Sequence, residues 1–517
     1  MAMDTISWNR FPAEIQNMIV GLLPFLGGKY SQLAAVSPAW RSIIEPHNFA
    51  EISLTVPRLT DPDSQAILAR KRNHIRYIWF RVELKKYGCT ECVSADRRQW
   101  GLDEVDNQFI VDAFQKLFTT LSAWEPRGDL VLDISVYSPS DNQHWFKYLS
   151  FSSDTDIGVP SHHGHEHGAT VNDPAHGWVT GQPIHAPEKP AVEHVFDEIM
   201  GRGPFPDYKA EMRWWRSLPS VPVAGVVLFR QQTRRRWNSL AITNMLTRFP
   251  NIKEICYEPW RELGDMKILT DESHPEFPPG GSLRKLTIFE NFDQSYAEIY
   301  QAPAIRVPSR AVSERLARTS LHLETLSASF MVDASRFFAA PQIQDSWTWG
   351  KLTSLALTSN VLTGDADPLH VDEMLQNAAA AASKMPRLNI MELWNGKKGV
   401  AMLFRYKRAR EDGQPPIITI RGTSELALGA GVVEAWDMVA YQHCHSKVVI
   451  QTSSIDPKGI RSHGDAIYQL GLLTEVTRPV SLRQIIDENS VSRLRPSPRS
   501  AYSGLSACRS YCVALKT

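Results

Sequence analysis

The amino-acid sequence predicts an α/β protein in two parts. A small all-α module of three helices is expected at residues 8–49. An irregular α/β solenoid with parallel strands follows over 50–489, and a flexible basic tail closes the chain at 490–517. Three observations carry this expectation. The first fifty residues contain three short amphipathic segments separated by proline and glycine breaks. A six-position apolar template then recurs seven times. Helical apolar spacing lies between several of those copies. With 517 residues the chain exceeds one ordinary compact domain unless most of it is an elongated repeat array, and a hydrophobic fraction of 43% is enough for a large core.

The N-terminal module is read from its punctuation. Pro12 stands where a first helical turn tolerates proline, and Ile15, Met18, Ile19, Leu22 and Leu23 follow at three- and four-residue steps. Pro24 and the Gly27-Gly28 pair end that helix. Leu33 and Val36 mark a second, beginning near Ser31. Ser37-Pro38 is an N-cap followed by proline at the first helical position, which starts a third helix carrying Trp40, Ile43 and Ile44 and closing at Pro46.

The body is read from the template apolar-x-x-apolar-x-apolar. Its copies are Ile75/Ile78/Phe80, Val223/Val226/Leu228, Ile252/Ile255/Tyr257, Leu283/Leu286/Ile288, Leu323/Leu326/Ala328, Leu352/Leu355/Leu357 and Leu388/Met391/Leu393. From 223 onward the copies start 29, 31, 40, 29 and 36 residues apart. Helical spacing separates them. Leu240 to Phe249 forms one helix ended by Pro250, Met374 to Met385 forms another ended by Pro386, and Phe109 to Leu121 forms a strongly amphipathic one upstream. Alternating strands and helices imply a parallel sheet with helices on one side. The other side would be concave. Side chains alternate along a strand, so the intervening positions point there. These are Trp79 and Arg81, Phe229, Glu258, Phe289 and Trp394, among others. Such residues suit a protein target. Burial of Phe229 and Phe289 beneath covering loops is the other reading of the same positions.

Three resemblances follow from these residues. Phe11-Pro12-Ala13-Glu14-Ile15, Leu33-Ala34-Ala35-Val36-Ser37 and Trp40-Arg41 together resemble the F-box. Phe11 replaces that family's usual leucine, and Pro38 stands where a basic residue is common. The resemblance implies docking on a Skp-type adaptor, which links to a cullin. Phe11, Pro12, Ile15, Ile19, Leu22, Leu33, Val36, Ser37, Trp40 and Ile44 would be its contact or core positions. The strand template, extended in two copies to Asn291 and Asn360, resembles a degenerate leucine-rich repeat. Tyr257-Glu258-Pro259-Trp260, Ser329-Phe330-Met331-Val332-Asp333-Ala334, Glu392-Leu393-Trp394-Asn395-Gly396 and Ser462-His463-Gly464-Asp465 are also similar to a group of F-box-like proteins from filamentous fungi. Together these imply the substrate-recognition subunit of an SCF-type cullin–RING ubiquitin ligase, expected to be a monomer and not itself an enzyme. A non-ligase scaffold is the alternative reading, and an unrecognised hydrolase or transferase in the body is a third.

Composition bounds the other classes. Lys+Arg and Asp+Glu both count 56, so the chain lacks the basic excess that nucleic acid or a membrane surface would attract. Six scattered cysteines make no disulfide framework and fit a reducing cytoplasmic or nuclear compartment. No signal peptide or membrane span is read.

Chemical motifs fall short one by one, so no cofactor, metal or catalytic residue is expected. His162-His163-Gly164-His165-Glu166-His167 lies within a Ser/His/Gly/Pro-rich stretch at 152–190, read as a disordered insert, and lacks the spacing of a zinc enzyme. Cys89-Thr90-Glu91-Cys92 offers two ligands of the four a structural zinc needs, with no second such pair. Gly429-Ala430-Gly431 ends on Glu434 where a dinucleotide fingerprint needs glycine, and Gly28-Lys29 and Gly396-Lys397 lack the rest of a phosphate loop. Ser462-His463-Gly464-Asp465 reads as a helix cap, because triad members come from distant positions. The dense basic run Arg230 to Arg236 reads as a solvated rim loop, or as a grip on an acidic or phosphorylated target segment through Arg234 and Arg235.

Overall fold

The computed structural model describes residues 8, 11–23, 31–94, 101–155, 172–201, 203–261, 277, 282–294, 296, 308, 310–343, 347–409 and 414–490. Two helices, α1 (Ala13–Leu22) and α2 (Pro38–Asn48), flank a 3-10 turn over Ser31–Ala35 at the N-terminus. Pro24, the Gly27-Gly28 pair and the basic tail lie outside the described residues.

The body is mixed α/β, built on a large and mostly parallel sheet. Its first six strands are β1 (Glu51–Thr55), β2 (Tyr77–Glu83), β3 (Leu130–Tyr137), β4 (Ala224–Phe229), β5 (Glu254–Tyr257) and β6 (Lys285–Phe289). Six more follow: β7 (Thr325–Ser329), β8 (Ser354–Thr358), β9 (Ile390–Lys397), β10 (Val400–Lys407), β11 (Ile417–Gly422) and β12 (Val449–Ser454). Their order across the sheet is their order in the chain. Only β10 runs against its two neighbours; the other pairs are parallel.

Register explains why the template folds this way. Ile255, Leu286, Leu326, Leu355 and Met391 stand opposite one another across five strands, and Tyr257, Ile288, Ala328, Leu357 and Leu393 form a second such row. The first row is wholly buried. Burying each such side chain contributes about 1.5–3 kcal/mol, and a one-residue slip would turn the whole row to the opposite face.

The rows pack against helices on what we call the first face. In chain order the body's helices are α3 (Val56–Thr60), α4 (Pro62–Lys71), α5 (Cys89–Cys92), α6 (Glu104–Ser122), α7 (Lys189–Val195), α8 (Tyr208–Ser217), α9 (Ser239–Leu246) and α10 (Arg310–Ser320). Then come α11 (Ala334–Ile343), α12 (Pro368–Ala382), α13 (Ala430–Cys444), α14 (His463–Leu470) and α15 (Pro479–Ser490). Helix α6 starts where Asp103 accepts the backbone N–H of Asp106 at 2.8 Å, and it buries Ile110, Phe114, Leu117, Phe118 and Leu121. The expected helices over Leu240–Phe249 and Met374–Met385 are α9 and α12.

The second face is closed, not an open concavity. Phe289, Ala356, Trp394 and Leu403 project from the sheet into a cluster with Ala466, Ile467, Leu470 and Ile485 of α14 and α15. Toward β2–β5, Tyr77, Trp79, Leu228 and Cys256 of the sheet form a further buried cluster, with Phe151 packed against it.

Several expectations need correction. In β4 the alternation is out of phase: Val227 and Phe229 enter the main core, while Leu228 faces the other way. The cause is a register shift between Leu130 and Val131, which pair with Ala224 and Val226 and leave Gly225 out of the ladder. A Cβ on Gly225 would stand 2.2 Å from the Gly128 carbonyl oxygen, so only glycine fits there. Helix α2 continues through Pro46 to Asn48 instead of closing at the proline. The stretch 152–190, expected to be a disordered insert, carries order in its second half. A 3-10 turn over Pro174–His176 leads into an antiparallel pair, Trp178–Val179 with Gln182–Pro183. The histidine tract 162–167 lies outside the described residues. Among those described, no helix is long and apolar enough to cross a membrane.

Candidate functional site

The N-terminal helices carry two apolar faces. The inward one is a small separate core of Val20, Ala34 and Ile44, with Trp8, Leu23, Leu33, Trp40 and Ile43 packed around it. Trp8 and Trp40 meet with ring centroids 5.6 Å apart. Ser37 caps α2 by accepting the Trp40 N–H at 3.2 Å, and the Gln16 side chain donates to the carbonyls of Trp8 and Phe11 at 3.1 and 3.0 Å. The module joins the body where α2 runs into β1, with Lys71 paired to Glu45 and lying 5.4 Å from the Phe49 ring.

The outward face is unusual. Ile15, Met18, Ile19 and Leu22 recur at helical spacing along one side of α1 and are all exposed, as is Val36 after the 3-10 turn. Leu22 is 59% and Val36 61% exposed, so no other described part of the chain covers them. Single exposed leucines are ordinary, but a contiguous stripe on a small helical module is a docking signal. The ten positions drawn from the F-box resemblance divide accordingly. Ile15, Ile19, Leu22, Val36 and Pro12 face solvent; Phe11, Leu33, Ser37 and Trp40 are half-buried; Ile44 is core.

The eight positions expected to receive a target behave differently. Trp79, Phe229, Glu258, Phe289, Trp394, Arg234 and Arg235 are buried, and only Arg81 keeps substantial exposure, stacked 4.6 Å over Trp79. The basic run is not a solvated loop. Arg230 bonds Asp133 at 2.8 Å, Arg235 bonds Asp141, and Arg234 bonds Glu488 of α15 while lying 4.0 Å over the Trp260 ring. Burying charge is costly unless it is paired, and each of these is.

These polar groups hold the cover on the second face. Glu258 accepts from Thr477 Oγ1 at 2.7 Å, the Arg478 N–H at 2.6 Å, Ser481 Oγ at 2.5 Å and the Gln231 N–H at 3.2 Å. Burial pushes its carboxyl upward against the pull of those donors. Glu392 accepts from the Leu473 and Thr474 N–H groups at 3.0 and 2.8 Å and pairs with Arg405 at 2.7 Å. His463 Nε2 lies 2.8 Å from Asn291 Oδ1 and stacks on Phe292; burial, aided by Arg261, lowers its pKa to about 3.

The weighed motifs resolve as follows. Ser462 accepts the Asp465 N–H at 3.3 Å as the N-cap of α14, and Asp465 pairs with Arg461, so the Ser-His-Gly-Asp string serves a helix start. Gly429 is the N-cap residue of α13. Cys89 and Cys92 lie on the one-turn helix α5, and there the fold adds what the sequence did not reveal. Cys89 Sγ is 3.7 Å from His144 Nδ1, and Cys92 Sγ is 3.5 Å from His176 Nε2. The histidines stand 55 and 84 residues from their cysteine partners, so no local spacing could announce them.

The profile of a family of unknown function (DUF6546) matches residues 276–478, which run from just before β6 to the residue preceding α15. No curated protein matches the chain.

Proposed function

We propose that this chain is a substrate receptor of an SCF-type cullin–RING ubiquitin ligase, with the N-terminal helices as an F-box-like module and the body as a degenerate leucine-rich-repeat-like array. One observation carries the reading: the stripe Ile15, Met18, Ile19 and Leu22, with Val36 beside it, is apolar, exposed and backed by a separate core. A Skp-type adaptor that covered it would bury side chains worth about 1.5–3 kcal/mol each. The chain would contribute proximity, not chemistry, by raising the concentration of target lysines near a charged E2. Because seven of the eight target candidates are buried, the target surface would lie on the exposed rims, near Arg81, unless α14 and α15 move away.

A second reading, a scaffold that binds the adaptor without presenting a target, is favoured by that same closure of the second face. Recovery of adaptor and cullin with the tagged wild-type chain, and their loss from Ile15→Asp/Leu22→Asp, is the expected result. Failure of the wild type to retain the adaptor overturns both readings. Retention of adaptor without cullin favours the scaffold.

A further inference from the structure

We propose that Cys89, Cys92, His144 and His176 form a closed tetrahedral zinc site that ties together the small cluster built by the segments after β2 and β3. The inference is independent of adaptor binding.

Three of the four donors converge, and the fourth, Cys92, stands beside one of them. Ligand atoms of Cys89, His144 and His176 all lie within 4.8 Å of one another. Taking zinc–sulfur and zinc–nitrogen bonds of about 2.3 and 2.05 Å, a tetrahedral edge between the two ligand types is about 3.6 Å. The two measured sulfur–nitrogen separations are 3.7 and 3.5 Å. The imidazole centroids of His144 and His176 stand 5.0 Å apart, side by side. One ion between them would be reached by both rings and by Cys89; Cys92 Sγ, which donates to the Cys89 carbonyl oxygen at 3.3 Å and lies outside that trio, would turn from this bond to complete the tetrahedron.

The outer partners fit as well. The second nitrogen of each ring is anchored by an acceptor, which fixes the tautomer a metal requires. His176 Nδ1 lies 2.7 Å from Asp173 Oδ2, leaving Nε2 for the ion, and Lys147 in turn holds Asp173 at 3.0 Å. His144 Nε2 lies 3.4 Å from the Tyr87 carbonyl oxygen, leaving Nδ1 for the ion. Tyr87 also stacks on the His144 ring. Both histidines and Cys92 are buried, and Cys89 is at the surface, which provides an entry path. A divalent ion with two thiolates is neutral overall, so the site can stay buried without a further counter-charge. Binding releases the two thiol protons.

The site has a structural task. Helix α5 and the segment after β3 share one small cluster, including Tyr87, Cys92, Trp145, Phe146 and Leu149, and His176 of the turn at 174–176 meets Trp145 edge-on at 5.7 Å. That cluster has no regular sheet or long helix of its own. A metal cross-link supplies the constraint that so small a core lacks.

The test uses the full chain, purified with zinc supplied and then dialysed. Metal analysis is expected to give one zinc per chain, and cobalt exchange is expected to give tetrahedral ligand-field bands with a thiolate charge-transfer band. Cys89→Ser/Cys92→Ser and His144→Ala/His176→Ala should each lose the zinc. Replacing the histidines of the 162–167 tract by alanine should leave it in place. Zinc removal should also speed alkylation of Cys89 and raise hydrogen exchange over 139–149 and 172–183. A wild-type chain without zinc overturns the proposal even if the variants fail to fold. So does zinc that survives loss of both cysteines, or zinc that disappears with the 162–167 tract.

Discussion

Replacing Glu258 by alanine should release the C-terminal cover from the sheet. Its carboxylate accepts two backbone N–H groups, of Gln231 and Arg478, and two hydroxyls, of Thr477 and Ser481, at a position only 2% exposed. The hydroxyls can rotate toward other acceptors. The two backbone donors cannot, and each buried donor left without an acceptor costs about 1–3 kcal/mol. The buried carboxyl itself carries a desolvation cost that the substitution removes, which burial's upward push on it reflects. A net loss of about 3 kcal/mol results, concentrated where α15 meets β4 and β5. That corresponds to roughly a hundred-fold rise in opening of this segment. Hydrogen exchange resolved by peptide should show it over 473–490, with little change in the α6 and β2 peptides. Glu258→Gln keeps one acceptor oxygen and should fall between. Exchange over 473–490 within about threefold of wild type in Glu258→Ala would refute the claim that this carboxylate pins the cover.

Two further outcomes follow from the buried polar groups. His463 has its folded pKa depressed to about 3, so the folded chain holds it neutral while the unfolded chain takes up a proton below about 6.5. Its contribution is complete above that value and is lost as pH falls. About 2 kcal/mol should be gone by about pH 5, and His463→Gln should flatten this acid limb in urea titrations repeated across pH. Asp133→Ala should cost about 3–5 kcal/mol by leaving Arg230 buried and unpaired, and the double change Asp133→Leu/Arg230→Met should recover much of it. Urea midpoints measure both; equal losses in the single and double variants would contradict the pairing argument.

The template located β2 and β4–β9 because inward residues in a strand stack on one row and must all be apolar. It missed β3, where Asp129 stands in the place of the template's leading apolar residue, and β1, although Phe49/Ile52/Leu54 fits the template. It also missed β10 and β11, where the chain leaves the strand–helix alternation for a hairpin turned at Gly399 with φ +74°, and β12, which is exposed along its whole length. Alternation says that Phe289 and Trp394 point away from the helices, but it does not say what stands opposite. The signal for burial was present in strands such as Leu-Thr-Ile-Phe over 286–289 and Leu-Ala-Leu over 355–357, which carry apolar or small residues on both faces. The charged neighbours Glu258, Glu392 and Arg230 obscured it, because each finds its partner across the fold and not nearby in the chain. The same holds for Cys89 and Cys92. Two ligands were legible as a pair; the two histidines became visible only when β3 and the turn at 174–176 were brought against α5.

The N-terminal helices followed the punctuation at their starts but not at Pro46, which α2 passes through. Ser37 and Pro38 start α2 as expected, and the 3-10 turn begins at Ser31. What periodicity treated as one apolar face is divided: of its five residues only Leu23 turns inward, beside Val20, which was not among them, while Ile15, Met18, Ile19 and Leu22 turn out. That division makes the docking claim specific. Titration calorimetry of a purified Skp-type adaptor into the full chain is its most direct test. The account predicts a saturable complex with one adaptor per chain. Leu22→Asp should weaken it at least about thirty-fold, since a leucine worth about 2 kcal/mol of burial is exchanged for a charge, while thermal stability stays unchanged because Leu22 contributes little to the module's own core. No binding by the wild-type chain, or equal binding by Leu22→Asp, would contradict it.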